Sequence, residues 1–468
     1  MTTRSPGSST AQFEEVSLYE KRANIYQKEV SGRFQNMRAA TLFLLAGVFF
    51  AGPWWRYGER QAIWLDLPAR RFHFFGITFW PQDFILLSWL LITAAFGLFF
   101  FTNLAGRVWC GYGCPQTVWT KFFMWLEWLT EGDRNQRIML DRAPWSRRKL
   151  LRRSAKHALW IALSLSVGVT FVGYFSQIRE LFASIAMLDL GRTQTVAIAI
   201  FSGALYVDAG WMREQICKYA CPYARFQGAM FDASTLTIFY DGKRGEPRGH
   251  RRPSAGATKN GLGDCVDCGA CVHVCPTGID IRKGTQYECI GCAACIDACD
   301  EIMDKMGYAR GLVRYATEKS LAGGRVRVLR PRLAAYGAVF LVMLSGLSYA
   351  LANRVPLELD VLRERNRLYR ETSEGAIENV YRLRILNMDQ KVHRYAITAS
   401  GIEALAYEGD PEVEVAPGEI RDVPVRLQAP ARVLHGGSTE IRFEVRTTDG
   451  SELSVAEESR FLAPVRGQ

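Results

Sequence analysis

The sequence predicts a multi-domain membrane protein: an α-helical transmembrane bundle of about five spans, a compact cysteine-rich module inserted ahead of the last span, and an all-β C-terminal domain. Three observations carry this expectation. Long apolar stretches alternate with strongly charged ones, although the mean hydropathy over all 468 residues is only −0.04. Eight of the twelve cysteines crowd into residues 264–299. Beyond Asn353 the chain has no cysteine and alternates apolar with polar residues.

A bilayer core is crossed by about 20 predominantly apolar residues, with a range of roughly 17–25. Such stretches run from Ala39 to Trp55, Phe84 to Asn103, His157 to Phe175, Thr195 to Trp211 and Leu333 to Ala352. The first is short, and the fourth carries Asp208, either an intramembrane carboxylate with a function or one near enough to a span end to reach water. Residues 1–38 are polar and charged, with no signal-peptide pattern, and read as a cytoplasmic segment.

Lys and Arg accumulate in cytoplasmic loops. Between Arg107 and Lys156 there are 11 basic against 4 acidic residues, and between Arg213 and Arg332 there are 19 against 13. The intervening loop from Ile178 to Arg192 holds only Arg179 and Arg192. Five spans then place the N-terminus inside and the C-terminal domain outside, in the periplasm of a bacterial inner membrane. All twelve cysteines fall on the inner, reducing side. The net charge of +11 follows from this topology, since juxtamembrane basic residues meet anionic headgroups; no nucleic-acid motif accompanies it, and no nucleic-acid partner is expected.

Taken in order, the first outer loop, Trp54 to Trp80, is rich in aromatics and reads as an interfacial cap. His73 within it is either part of that cap or a ligand for a metal or a quinone headgroup; a lone histidine is more often the former. After the second span comes WCGYGCPQTVW, with Cys110 and Cys114 four apart and Pro115 following. After the fourth comes ICKYACPYARFQ, where Cys217, Cys221 and Pro222 repeat the spacing. Two spans, a C-x3-C-P pair and an aromatic amphipathic segment thus occur twice, an internal repeat that places four thiols at the inner membrane face. Four such thiols suit a soft metal, Cu(I), zinc or an iron-sulfur cluster, or a redox dithiol pair, or simple packing. Tyr112 and Tyr219 recur at the motif centres, and Arg225 and Gln227 are candidates for an anionic headgroup or for a solvated edge.

Residues 241–263 are rich in Gly, Pro and basic residues and read as a flexible approach. Cys265, Cys268, Cys271 and Cys275 then form a C-x2-C-x2-C-x3-C-P run, and Cys289, Cys292, Cys295 and Cys299 repeat it. This is the spacing of two-cluster bacterial ferredoxins, in which the fourth cysteine of each run ligates the other cluster. It predicts two [4Fe-4S] clusters, one on Cys265, Cys268, Cys271 and Cys299, the other on Cys289, Cys292, Cys295 and Cys275. Zinc sites use two separated ligand pairs, and disulfides do not favour identical tandem runs.

In the tail, Tyr381, Leu383 and Ile385, then Val423, Val425 and Leu427, then Ile441, Phe443 and Val445 alternate with polar residues between turn signals. That pattern predicts an antiparallel immunoglobulin-like sandwich without a disulfide. Met388, His393 and His435 could meet a periplasmic metal, though no ligand spacing joins them. The expected domains are 1–38, a four-span membrane domain 39–240, a ferredoxin domain 241–332, a fifth helix 333–352 and a sandwich 353–468.

With WCGYGCPQTVW at 109–119, ICKYACPYARFQ at 216–227, the doubled cluster run and the β tail, the chain resembles the cytochrome c oxidase accessory protein family CcoG, also called FixG or RdxA. The resemblance covers nearly all of the chain after about residue 20. It implies a membrane cupric reductase that turns Cu(II) into Cu(I) for assembly of cbb3-type cytochrome c oxidase, with copper, oxidase assembly factors or copper chaperones and an unidentified electron donor as partners, and a homo-oligomer left open. Cys110, Cys114, Cys217 and Cys221 would carry the copper chemistry, and the eight run cysteines the clusters. Asp300 stands after Cys299 where a proline is common, which touches the local turn and no ligand. Two other functions remain open: a quinol or ferredoxin electron-transfer subunit of a respiratory reductase, and a non-catalytic oxidase assembly scaffold.

Overall fold

The computed structural model describes residues 25–251, 261–324, 330–364, 367–373, 375–434, 436–450 and 452–464. The leader before residue 25, part of the 241–263 approach, and His435 lie outside the described residues. Five helices are long and apolar enough to cross a membrane: Arg33–Trp54, Pro81–Ala105, Arg147–Gly173, Arg192–Met212 and Pro331–Ala352. At 1.5 Å per residue even the shortest reaches about 30 Å, the thickness of a hydrocarbon core. Ile85, Leu91 and Val342 on these helices are exposed, an arrangement that hydrocarbon satisfies and water does not. The protein is a membrane protein. The third helix starts ten residues ahead of the expected His157, because the basic turns from Arg147 to Lys156 continue it, Lys149 reaching back to the carbonyls of Asp141 and Ala143. The fourth ends in a wider π-type turn over Asp208–Met212.

Within the described residues the chain forms two compact units that do not follow the order of the sequence. The first comprises segments within Met1–Phe43, Ala105–Ile161 and Tyr206–Val326, and it holds every cysteine. Its small sheet pairs Thr237–Tyr240 with Val313–Ala316, closing the cysteine-rich run into a loop with neighbouring ends. The 241–263 approach is correspondingly less free than its composition suggests: Arg244 pairs with Asp264 and binds the carbonyls of Ala309 and Arg310.

The second unit comprises Leu44–Leu104, Ala162–Leu205 and Arg327–Gln468. Its aromatic loop is more than a cap: Ile63–Asp66, Arg71–Phe74 and Ile77–Phe79 make a three-stranded antiparallel sheet. His73 is buried there, stacked on Trp64 and hydrogen-bonded through Nδ1 to Thr78 at 2.9 Å. Burial, then the charges of Arg60 and Arg71, push its pKa down to about 4, so it is a neutral, satisfied core residue.

The tail is a sandwich. One sheet is built on Ala376–Asn387, flanked by Leu357–Arg363 and Ile420–Pro430; the other orders Glu412–Val415, His393–Ser400, Ser438–Thr447 and Ser454–Leu462. The expected inward residues Tyr381, Leu383, Ile385, Val423, Val425, Leu427, Ile441, Phe443 and Val445 fill a single core between the sheets. Pro424 is tolerated in its strand because the neighbour Ala406–Glu408 pairs only with 426–428, leaving the proline on an open edge.

Candidate metal centre

Each half of the cysteine run makes the same turn. Cys268-Gly269-Ala270-Cys271 enters the helix Ala270–His273, and Cys292-Ala293-Ala294-Cys295 enters Ala294–Met306. The residue before each helix is left-handed, φ 65° at Gly269 and 61° at Ala293, and so is the residue two places earlier, φ 50° at Asp267 and 67° at Gly291. Side chains other than glycine avoid that region. Its adoption by Asp267 in one run and Ala293 in the other points to a shape the loops must share, in which alternating backbone hands form an N–H nest suited to an anionic group.

Two cavities open beside these turns. One is lined by Cys265, Cys268, Cys271 and Cys299 together with apolar residues such as Met303 and Leu312. The other is lined by Cys275, Cys289, Cys292 and Cys295 with Ile238, Ile281 and Ile290, and Cys271 borders both. Apart from the shared Cys271, each cavity draws on both runs: Cys265, Cys268 and Cys271 with Cys299 in one, and Cys289, Cys292 and Cys295 with Cys275 in the other. Four thiols, apolar walls and loops of alternating backbone hand fit a 4Fe-4S cluster in its ligand number and chemistry. Burial pushes Cys271, Cys289 and Cys299 up to about 12, and Cys275 and Cys295 also upward. Such thiols become thiolates only beside a cation, as bound iron provides.

The C-x3-C-P pairs sit at helix starts. Cys110 lies in the short helix Val108–Tyr112, and Cys114 precedes Pro115–Glu131. Cys217 lies in the π-type turn Ile216–Ala220, and Cys221 precedes Pro222–Met230. The prolines explain the geometry: proline at the first helical position costs no hydrogen bond and drives the residue before it into an extended conformation, seen at Cys114 (ψ 130°) and Cys221 (ψ 107°). All four thiols are near enough to act on one another electrostatically. Burial, followed by this mutual repulsion, pushes Cys110 up to about 12 and Cys217 to about 11; burial also raises Cys114. Cys110 donates its S–H to Oε1 of Gln227 at 3.1 Å, and Thr117 donates to the Cys110 carbonyl at 2.5 Å. The headgroup role considered for Gln227 gives way to this buried one, whereas Arg225 stays exposed. Asp208 faces the Gln116 side chain beside these pairs.

The first pair touches the second cavity directly. Cys110 packs against the apolar group of Val274, Ile290, Cys292 and Ala294. A Cβ on Gly111 would lie 2.9 Å from both Cys292 Cα and the Ile290 carbonyl oxygen, so only glycine allows this backbone approach. Tyr112, unlike the exposed Tyr219, is buried, with its hydroxyl 3.5 Å from the Cys292 carbonyl. Arg38 Nε donates to the Gly111 carbonyl at 3.0 Å, and Asp297 accepts from the backbone N–H of Gln35 at 2.7 Å and of Phe34 at 3.3 Å, capping the first long helix. Buried Arg107 donates to the carbonyls of Ala224 and Tyr287. Arg38, Arg107 and Asp297 were not identified from the sequence. The available signal was an arginine about one helical turn ahead of each pair, Arg107 before Cys110 and Arg213 before Cys217.

Sequence profiles agree with the chemistry of these residues. The 4Fe-4S dicluster domain matches residues 212–318, a 4Fe-4S binding domain matches 86–150, and the immunoglobulin-like fold at the C-terminus of FixG matches 347–464. Fold and site together define a membrane-bound, ferredoxin-type iron-sulfur protein of the electron-transfer class. The nitrogen fixation protein FixG of Rhizobium meliloti is 42% identical over 83% of this chain and 81% of its own, and protein RdxA of Cereibacter sphaeroides is 40% identical over 88% of each. The chain belongs to the FixG/RdxA family. A crystal structure of a FixG-related protein from Vibrio parahaemolyticus is 31% identical over 23% of this chain and 95% of its own, with a TM-score of 0.21.

Proposed function

We propose that this protein reduces Cu(II) to Cu(I) at the inner membrane face for assembly of cbb3-type cytochrome c oxidase. The observation that carries the reading is the contact of Cys110 and Gly111 with Cys292, which joins the four paired thiols to a cluster cavity. Cys265, Cys268, Cys271 and Cys299 hold one 4Fe-4S cluster; Cys275, Cys289, Cys292 and Cys295 hold the other. When bound, such clusters supply single electrons, the unit that Cu(II) takes in becoming Cu(I).

Cys110, Cys114, Cys217 and Cys221 receive the copper. Thiolates favour the Cu(I) product, and the buried, protonated thiols release protons as the cation binds. Gln227 and Thr117 hold Cys110 in place, while Cys114 and Cys221 stand at the N-terminal ends of Pro115–Glu131 and Pro222–Met230, where the helix dipole favours negative charge. The loop charges support a cytoplasmic N-terminus and cluster region, where a one-electron donor supplies the electrons, and a periplasmic sandwich, facing assembly factors or copper chaperones.

The test is anaerobic purification with iron and copper quantified, then a Cu(II) reduction assay of the wild type and of a variant with Cys110, Cys114, Cys217 and Cys221 all changed to Ser. The variant is expected to keep its iron and lose at least tenfold in copper reduction. Undiminished reduction would sink the role of these thiols, and clusters reduced by quinol in copper-free protein would favour a respiratory electron-transfer subunit instead.

A further inference from the structure

The two cluster cavities differ in the charge that faces them. Beside the cavity of Cys265, Cys268, Cys271 and Cys299, the cation acting most strongly on Cys271 is Arg282. That guanidinium is fully engaged by carboxylates: Nη1 pairs with Asp267 at 2.6 Å, and Nη2 with Asp280 at 2.8 Å. These three side chains sum to one negative charge, and the guanidinium is engaged by its own neighbours.

Beside the other cavity the cation acting on Cys289 is Arg107. It is 4% exposed, and its two terminal nitrogens donate to the neutral carbonyls of Ala224 and Tyr287. Among the described residues no carboxylate pairs with it, and its Nε has no hydrogen-bond acceptor. A buried cation without a counter-charge is strongly disfavoured. The groups that feel its charge are Cys289 in the cavity, and Cys110 and Cys217 in the paired-thiol site. The negative charge that offsets Arg107 therefore comes from bound thiolates and whatever they hold. Gly291, whose added Cβ would lie 3.2 Å from the Arg107 carbonyl, lets this arginine's backbone approach the loop of Cys289 and Cys292.

We propose that Arg107 makes the Cys275/Cys289/Cys292/Cys295 site the more easily reduced of the two, and so sets it as the electron exit towards the paired thiols. The physical reason is that reduction adds one negative charge, which an uncompensated cation favours and a carboxylate-compensated one does not; net charge and hydrogen bonding are what tune iron-sulfur potentials. The direction matches the contacts, because this site and not the other adjoins Cys110 and Gly111, whereas Cys268 of the other is exposed and open to a donor. Arg107 acts through the thiols and is a positioning residue. The inference rests on the electron-transfer reading and is independent of whether copper is the acceptor.

The experiment is a redox titration followed by electron paramagnetic resonance on the full-length, anaerobically purified protein, with iron quantified. Two reduction steps are expected in the wild type, and Cys268→Ser, which perturbs the exposed ligand, marks the lower one. Arg107→Gln keeps hydrogen-bond donors but removes the charge. It should shift the upper step at least tenfold towards the oxidised form, about 59 mV for one electron, and leave the marked step within threefold. Arg107→Lys restores the charge and should stay within threefold of wild type in both. An unshifted upper step, an equal shift of both, or a shift confined to the step marked by Cys268→Ser overturns the proposal. Should Arg107→Gln fail to hold iron, Asp280→Asn decides: freeing Arg282 should raise the lower step at least tenfold, and no rise overturns the charge argument. Undiminished copper reduction in the four-Ser variant, with the Arg107→Gln shift as expected, would count against the thiol reading above and not against this one.

Discussion

The cysteine-bearing unit and the sandwich tail of the other unit solve the problem of stability in opposite ways. The sandwich has one continuous core, from Leu357 to Ala463, fed by alternate residues of both sheets. The cysteine unit has several small apolar groups, Ile238 with Ile296 and Val313, Val274 with Ile290, and Met303 with Leu312, and each of them borders a thiol. Where the tail places methyl groups, the cysteine unit places cavities and buried polar contacts such as Arg38 to Gly111 and Asp297 to Gln35. A region that leaves room at its centre for a bound group depends on that group for its stability, by mass action. A region filled by its own side chains does not.

The largest effect should come from emptying a cavity. Cys289→Ser is expected to cut bound iron by about half, since one of two cubanes loses a ligand, and to raise hydrogen exchange several-fold through 265–316. Exchange across 376–463 should not change. Equal loosening of both regions, read by hydrogen-exchange mass spectrometry on the full chain, would break the contrast.

The mirror experiment removes a side chain from the tail. Phe443 is fully buried, packed edge-on against Tyr381 with ring centroids 5.1 Å apart. Phe443→Ala should cost the sandwich about 3–5 kcal/mol, while the iron content stays at the wild-type value. Loss of iron in this variant would show that the two regions depend on one another.

The same difference decides how much could be read from sequence. The tail was legible because period-two alternation is a local signal: Tyr381, Leu383 and Ile385 are buried by strand geometry alone, whatever their partners. The cysteine runs were legible for a related reason, as ligands packed into one tight loop advertise their chemistry by spacing. The five long helices were legible from length and hydropathy, while their ends drifted where charged turns such as Arg147–Lys156 prolong a helix beyond its apolar part. What composition could not show is who meets whom. The carbonyl that Arg38 binds is 73 residues away, and Ala224, bound by Arg107, is 117 away. Of the two, only Arg107 has a counterpart in the internal repeat, Arg213, and that likeness does not say what it meets. The sheet hidden in the aromatic loop was missed because interfacial aromatics mask the alternation Phe72-His73-Phe74 that pairs with Ile63–Leu65.

The contrast also extends to pH, where the tail carries a titrating group in its own right. His393 is 4% exposed and lies between two carboxylates, Nδ1 to Asp449 at 2.5 Å and Nε2 to Asp389 at 2.9 Å, joining the loop after Asn387 to the one after Thr447. Burial opposes charge on the ring, but the hydrogen bonds to Asp389 and Asp449 outweigh it, and the pKa ends above its ordinary value. For Asp389, burial works upward while the bond to His393 and its neighbours brings the net shift below the usual carboxylate range. A raised histidine contributes fully below its unfolded pKa and loses its contribution as pH climbs through the folded one; a depressed aspartate contributes above its unfolded pKa and loses it on acidification. The two loops should therefore be held most firmly in mildly acidic solution and loosen on either side, by on the order of 1 kcal/mol because both carboxylates reach solvent. Hydrogen exchange at 388–393 and 447–450, followed from acidic to alkaline pH, should show that optimum in the wild type. His393→Gln should flatten the alkaline limb and leave the cysteine unit's own pH response as it was. An alkaline limb that survives in the glutamine variant would assign the effect to another group.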